Sequence, residues 1–170
     1  MALYHFCAKQ VKRSAGQSVV AASAYRAGEK LYCDYYGQTF DYTHKGGVVH
    51  QEIILPENAP REYSDRATLW NAVEQVEKNK NAQLAYSFDI ALQNELSMEE
   101  NISLVRTFVT ENFVSRGMIV DLAVHEPHKE EEEMRILIFM YWHPSDQYYR
   151  MEVLEQNSIA NTNWMRREIG

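Results

Sequence analysis

The 170-residue sequence predicts an α+β fold, an antiparallel sheet with helices packed on one side. Strand-like and helix-like segments alternate irregularly, without the steady β-α-β rhythm of a parallel sheet. Several strand-like segments carry one apolar and one polar face, as antiparallel strands do. A hydrophobic content of 45% suffices to fill a core in a chain of this length.

Each element has its own justification. Residues 2–8 read as a strand, with Leu3, His5 and Cys7 on one side and Tyr4 and Phe6 on the other. Arg13 to Gly16 is a polar loop, and residues 18–31 read as an Ala-rich helix that starts after Gly16-Gln17-Ser18. Gly37 and Gly46-Gly47 mark turns. A strand over residues 48–55 stops at Pro56, and a helix over about residues 64–80 carries Leu69, Trp70, Val73 and Val76 as its apolar stripe. Residues 86–92 alternate: Tyr86, Phe88, Ile90 and Leu92 face one way, Ser87, Asp89 and Ala91 the other. Ser97 and Glu100 form a capping box, and the helix behind it places Ile102, Val105, Val109 and Phe113 at helical spacing before Gly117. Residues 118–125 are again a strand, with Met118, Val120, Leu122 and Val124 on one face and Ile119, Asp121, Ala123 and His125 on the other.

Composition excludes several classes. Four Pro and seven Gly rule out collagen-like and low-complexity chains. No run reaches the ~18 apolar residues of a membrane span, and the N-terminus lacks a signal-peptide pattern. Two cysteines, Cys7 and Cys33, cannot build a disulfide framework, so a cytoplasmic setting is expected. The formal net charge of -7 argues against a bulk nucleic-acid binder, but the charge is uneven. Up to Lys30 the chain carries Lys9, Lys12, Arg13, Arg26 and Lys30 against one acid, Glu29. Such a cluster is either a solvated face or an edge that contacts phosphates. The run Glu130 to Glu133 is read as a solvated loop, because consecutive residues do not converge on one ion.

Two residues have chemistry with a bland alternative. Tyr25, in Ala24-Tyr25-Arg26-Ala27-Gly28, is either a core-edge residue of an Ala-rich helix or a nucleophile that attacks a phosphodiester and holds the 5′ end covalently. His125 ends a strand on its polar face and is either structural or a metal ligand. Further histidines on an adjacent strand would decide for the ligand.

The segments Ala2-Leu3-Tyr4-His5-Phe6, Gly16-Gln17-Ser18, Ala24-Tyr25-Arg26-Ala27-Gly28-Glu29 and Ile54-Leu55-Pro56-Glu57-Asn58-Ala59-Pro60 resemble the N-terminal part of MobA/MobL-type plasmid mobilisation relaxases, as do Val76-Glu77-Lys78 and Val124-His125. The resemblance runs over residues 1–134. It implies an HUH-endonuclease sheet, nicking of one strand of single-stranded origin-of-transfer DNA, a tyrosine-DNA 5′-phosphodiester and a divalent metal, Mg or Mn, held by histidines. It also implies accessory mobilisation proteins as partners, no membrane, and a bacterial cytoplasm with a plasmid or other mobile element as the source. On this resemblance Tyr25 is the nucleophile, Asp89 a catalytic carboxylate and His125 the first metal ligand. Lys9, Arg13, Gln17 and Arg26 contact DNA or its phosphates.

The sequence departs from that family in two places. Where members carry Arg-Glu-x-Glu/Asp-x-Ala-Leu-Pro, this chain reads Tyr86-Ser87-Phe88-Asp89-Ile90-Ala91-Leu92-Gln93, keeping one carboxylate and losing the other. Where members carry Asn-Pro-His-x-His, it reads Arg135-Ile136-Leu137-Ile138-Phe139-Met140-Tyr141-Trp142-His143-Pro144, so two of three expected metal histidines are missing. One deletion accounts for this. The codons CCG AAT CCT CAT TTT CAT GTA TTG GCA TCC encode Pro-Asn-Pro-His-Phe-His-Val-Leu-Ala-Ser. Without one C of the first codon they encode Arg-Ile-Leu-Ile-Phe-Met-Tyr-Trp-His-Pro, identical to residues 135–144. The expectation is therefore a relaxase domain over residues 1–134, truncated before its metal motif and incomplete at the C-terminus, followed by an out-of-frame tail over residues 135–170. One histidine holds a divalent ion weakly, so nicking activity is expected to be lost. His128 and His143 do not recreate the His-x-His spacing, which on a strand puts both rings on one face. The apolar segment 136–142 could still pair as a strand, and a loose tail is expected beyond Ser145. A rival of another class is a non-catalytic fragment that binds origin single strands through its basic N-terminal edge.

Overall fold

The computed structural model describes residues 6–93, 95–126 and, as backbone, 135–142. Ten elements occur in the order β1 (Phe6–Lys12), α1 (Val19–Ala27), β2 (Lys30–Cys33), β3 (Gln38–Asp41), β4 (Val48–Ile54), α2 (Arg66–Val76), β5 (Gln83–Ala91), α3 (Met98–Asn112), β6 (Met118–His125) and β7 (Arg135–Trp142). Five strands form one sheet in the order β1-β5-β7-β6-β4, with every pairing antiparallel. β2 and β3 form a separate hairpin around Gly37.

The α+β class with an antiparallel sheet is as expected, but helices cover both faces of it. Val19 and Val20 of α1 and Leu69, Trp70 and Val73 of α2 pack with Ile119 of β6 on one side. Val109 of α3 and Phe113 just beyond it pack with Phe88, Val120, Leu122 and Val124 on the other. The reason is the composition of β6, which is buried at every position except the half-exposed His125. Its second face looks polar in sequence, yet Asp121 there is satisfied inside the protein. Its carboxylate accepts from Arg66 Nε at 2.9 Å and Nη2 at 2.8 Å, Trp70 Nε1 at 2.8 Å and Ser23 Oγ at 3.1 Å. A buried charge with this many donors can lie under a helix layer.

Element boundaries differ where one residue type overrides a longer pattern. The helix expected over residues 18–31 ends at Ala27, because Gly28 takes φ 65° and its N–H closes on Ala24 O. Lys30 to Cys33 then turn into β2, with Leu31 and Cys33 facing inward. Asp65 caps α2 by accepting from Thr68 N at 2.8 Å, so that helix starts after Ser64 and stops at Val76. The Ser97–Glu100 capping box of α3 is present in both directions. The first strand runs from Phe6 to Lys12, past the expected end at residue 8, and the expected residues 2–5 lie outside the described residues.

Residues 135–142 occupy a central place in the sheet. β7 pairs with β6 along its whole length and with β5 from Arg135 to Met140, so the apolar segment does pair. Arg135 stands opposite both His125 and Ala91, and Leu137 stands opposite Asp89 and Ala123. The tail expected beyond Ser145 lies outside the described residues, as do Glu130 to Glu133 and His128.

Candidate nucleic-acid interface at the end of α1

α1 has Ser18 at its N-cap and small residues, Ser23, Ala24 and Ala27, on its buried face. Small side chains let the helix lie close to the sheet, and the Ser23–Asp121 hydrogen bond fixes it over β6. Tyr25 consequently points outward near the C-terminal end, and its side chain is exposed. At 51% exposure it is not a core-edge residue, so the bland reading of this tyrosine fails.

Around it the structure gathers charge. Lys45 Nζ lies 3.5 Å from the centre of the Tyr25 ring and donates to Tyr25 O at 3.0 Å. Tyr42 meets the Tyr25 ring edge-on at 5.3 Å. Arg26 turns the other way, into the sheet, where its guanidinium donates to Ser87 Oγ. Burial lowers the Arg26 pKa to about 10, opposed by the charges of Asp121 and Asp89. Lys45 is lowered by burial and then by the positive charge of Arg26. His125 is lowered by burial first and by Lys45 next, against a hydrogen bond from its ring to the backbone of Arg26. Its Nε2 is shielded from solvent and has no hydrogen-bond partner among the described residues. Arg26, Asp89 and His125, singled out separately in sequence, are therefore within electrostatic reach of one another, and Lys45 lies between them and Tyr25 in acting on both His125 and the Tyr25 ring.

From there an open groove of about 1100 Å³ follows α1 back along β1 and β5. Lys9, Lys12, Gln17, Tyr25, Arg26 and Asp89 are among its lining residues, with Tyr42 and Tyr86 adding aromatic surface. Gln17 and Lys9 thus lie on the groove as expected. Arg13 does not. Its guanidinium is 8% exposed as part of the whole residue and pairs with Glu74 Oε2 at 2.8 Å. It also donates to the carbonyls of Glu74, in the last turn of α2, and Glu77, just beyond it, and lies over the Tyr35 ring. Its Nε is buried without a hydrogen-bond partner among the described residues, and Arg13 is held as a clamp inside the fold and not along the groove.

A divalent metal was tested against the side chains present. The orphaned Nε2 of His125 suits one ligand. No group of three His, Cys, Asp or Glu able to hold an ion exists among the described residues. On β7 the residues opposite His125 and Asp89 are Arg135 and Leu137, neither of a metal-binding type. Taken among the described residues, the donor set does not fit a tight divalent site.

Sequence reasoning missed Lys45 and Tyr42. Nothing in the sequence links the loop Asp41-Tyr42-Thr43-His44-Lys45-Gly46-Gly47 to residue 25, and only folding brings it there. The Arg66–Asp121 pair was missed for the same reason.

The fold and site are those of an antiparallel α+β protein with a solvent-facing tyrosine on a groove that Lys9, Lys12 and Arg26 help to line. The chain belongs to the MobA/MobL family, which it matches over residues 17–161. The match continues past Met134 into the segment read above as out of frame. The chain is 43% identical over 136 residues to "Conjugal transfer protein TraA" of Rhizobium radiobacter, covering 74% of this chain and 12% of that protein. It is 36% identical over 164 residues to "Mobilization protein MobL" of Acidithiobacillus ferridurans, covering 96% of this chain and 41% of that protein. It therefore spans less than half the length of either relative. A solved structure described as "Molecular Basis of Vancomycin Resistance Transfer in Staphylococcus aureus" superposes with a TM-score of 0.78 at 34% identity, covering 86% of this chain and 74% of the other.

Proposed function

We propose that this chain is a relaxase domain of plasmid mobilisation that binds a single DNA strand along the α1 groove with Tyr25 in the nucleophile's place, and that its metal site is too incomplete for nicking. The observation that carries the reading is the exposed Tyr25 with Lys45 over its ring, on a groove that Arg26 and Asp89 also line. In the reaction implied by the family, the tyrosine oxygen bonds to phosphorus and the 3′ oxygen leaves. The phosphoryl group needs its charge neutralised as that happens. Where the family's full histidine motif is present a divalent ion would supply this neutralisation, and in this chain His125 would be one of its ligands. Arg26 is positioned for a phosphate oxygen, Asp89 sits beside it, and Lys9 and Gln17 lie along the strand's path. Tyr42 and Tyr86 offer faces on which bases stack, worth ~1–3 kcal/mol per base.

Family membership through residue 161 supports β7 occupying the family's place in the sheet, so what is altered is the motif and not the strand. We attribute the alteration to a single-base frame change near codon 135. Sequencing the gene there tests this: a frame restoring Pro-Asn-Pro-His-x-His supports it, and the lack of one overturns it. The second reading, a non-catalytic single-strand binder, is favoured by the unfitting donor set and differs only in having no catalytic past to restore.

The functional test uses the full chain and single-stranded fragments tiled across the plasmid's origin region. Binding stronger to single strands than to duplex, weakening steeply with salt, is expected. Absence of any binding at low salt contradicts the DNA reading altogether.

A further inference from the structure

The loop that carries Lys45 is fixed at both ends. Tyr42 N donates to Glu29 O at 3.0 Å, Lys45 N to Tyr42 O at 2.9 Å, and Glu126 N to Gly47 O at 2.8 Å. It also lies against Gly28, where a Cβ would meet Val48 Cγ2 at 3.3 Å and Lys45 O at 3.5 Å. A lysine on such a loop is held over Tyr25 and does not sweep the surface. No carboxylate lies within ion-pair distance of Lys45 among the described residues, while Arg26 presents a second positive charge close by. Lys45 is the cation that lies on Tyr25, and it does so without a carboxylate at contact among the described residues. One donor of the ammonium goes to Tyr25 O, and a lysine carries three.

We propose that Lys45 binds the strand phosphate presented to Tyr25, sharing its charge with Arg26 in a site whose donor set does not fit a metal. The inference rests on the groove being a single-strand DNA site. A lysine is suited to this task as a compact point charge that meets a phosphate oxygen from any side.

The test is anisotropy titration of a labelled oligothymidylate across a salt series, with wild type, Lys45→Gln and Lys45→Arg. Glutamine keeps a donor for Tyr25 O but removes the charge, so a purely structural role survives it. The expected result is ~10-fold weaker binding by Lys45→Gln, with the salt slope shallower by about 0.7, the value of one phosphate on a single strand, and recovery in Lys45→Arg. A folded Lys45→Gln with wild-type affinity and slope overturns the proposal while leaving the DNA reading intact. Wild type that binds no oligonucleotide overturns both. If Lys45→Gln does not fold, the Lys45 ammonium resonance of the intact chain must move when oligonucleotide is added, and an unmoved resonance is again the contrary result.

Discussion

The two ends of α1 each have an arginine from the same basic stretch, and they put it to opposite uses. Just before the helix, Arg13 is matched by the carboxylate of Glu74, whose other oxygen accepts from Val19 N at 2.8 Å. That pair joins the loop before α1, the first turn of α1 and the last turns of α2, and leaves nothing to offer a ligand. At the far end Arg26 donates to the hydroxyl of Ser87 with the charges of Asp121 and Asp89 close by, and the second cation there, Lys45, has no carboxylate at contact among the described residues. The nearby Asp121 is largely engaged with Arg66 and Trp70. Arg13 lies in a buried carboxylate pair inside the fold, whereas Lys45 lies over the exposed Tyr25 ring with no carboxylate at contact among the described residues. Position along the sequence gives no hint of it.

Breaking the balanced end should have the largest effect. Glu74→Gln leaves Arg13 buried without its counter-charge, at a cost of ~3–5 kcal/mol in denaturant unfolding. A loss under ~1 kcal/mol would mean that the clamp is not what holds α1 to α2. Arg26→Gln should sharpen the contrast from the other side: unfolding free energy within ~1 kcal/mol of wild type, and oligonucleotide affinity down ~10-fold. Equal destabilisation by the two variants would erase the distinction.

The smallest expected effect concerns the loop that presents Lys45. The side chain and backbone N–H of Thr43 hydrogen-bond Asp41 and hold its carboxyl down at about 2, below its ordinary 3.8. A depressed acid contributes stability above its unfolded pKa and loses it as pH falls through the folded one. Thr43 amide protection should therefore be constant above about pH 4 and decline between there and pH 2, with Asp41→Asn showing no such step. A decline already under way near neutrality would assign the loop's stability to another group.

Much of this could be read from the sequence where the signal is local. The Ser97 capping box, the alternation of β5 and the extent of β6 all follow from neighbours a few residues apart. The rest depends on distant partners. The end of α1 turned on Gly28 alone, against an Ala-rich pattern favouring continuation. The second helix layer was hidden because Asp121 looks like a surface residue until Arg66, Trp70 and Ser23 meet it. Arg13 and Lys45 exchanged roles for the same reason, each decided by a contact more than fifteen residues away in sequence.

Segment 135–142 adds a register question. The histidines of the restored codons fall at positions 138 and 140, opposite Leu122 and Val120 on the α3 side of β6. The face of His125 is reached by a slip of one residue, which turns a strand's side chains to the other side. A segment apolar at every position from Ile136 to Trp142 gives little to resist such a slip.

The most direct test compares the chain as it stands with one in which residues 135–144 are replaced by Pro-Asn-Pro-His-Phe-His-Val-Leu-Ala-Ser. Each is incubated with single-stranded origin fragments and Mn²⁺ and run on a denaturing gel. The account predicts no covalent protein-DNA band from the present chain, and from the replaced one a band that needs both metal and Tyr25. A metal-dependent, Tyr25-dependent band from the present chain would contradict it.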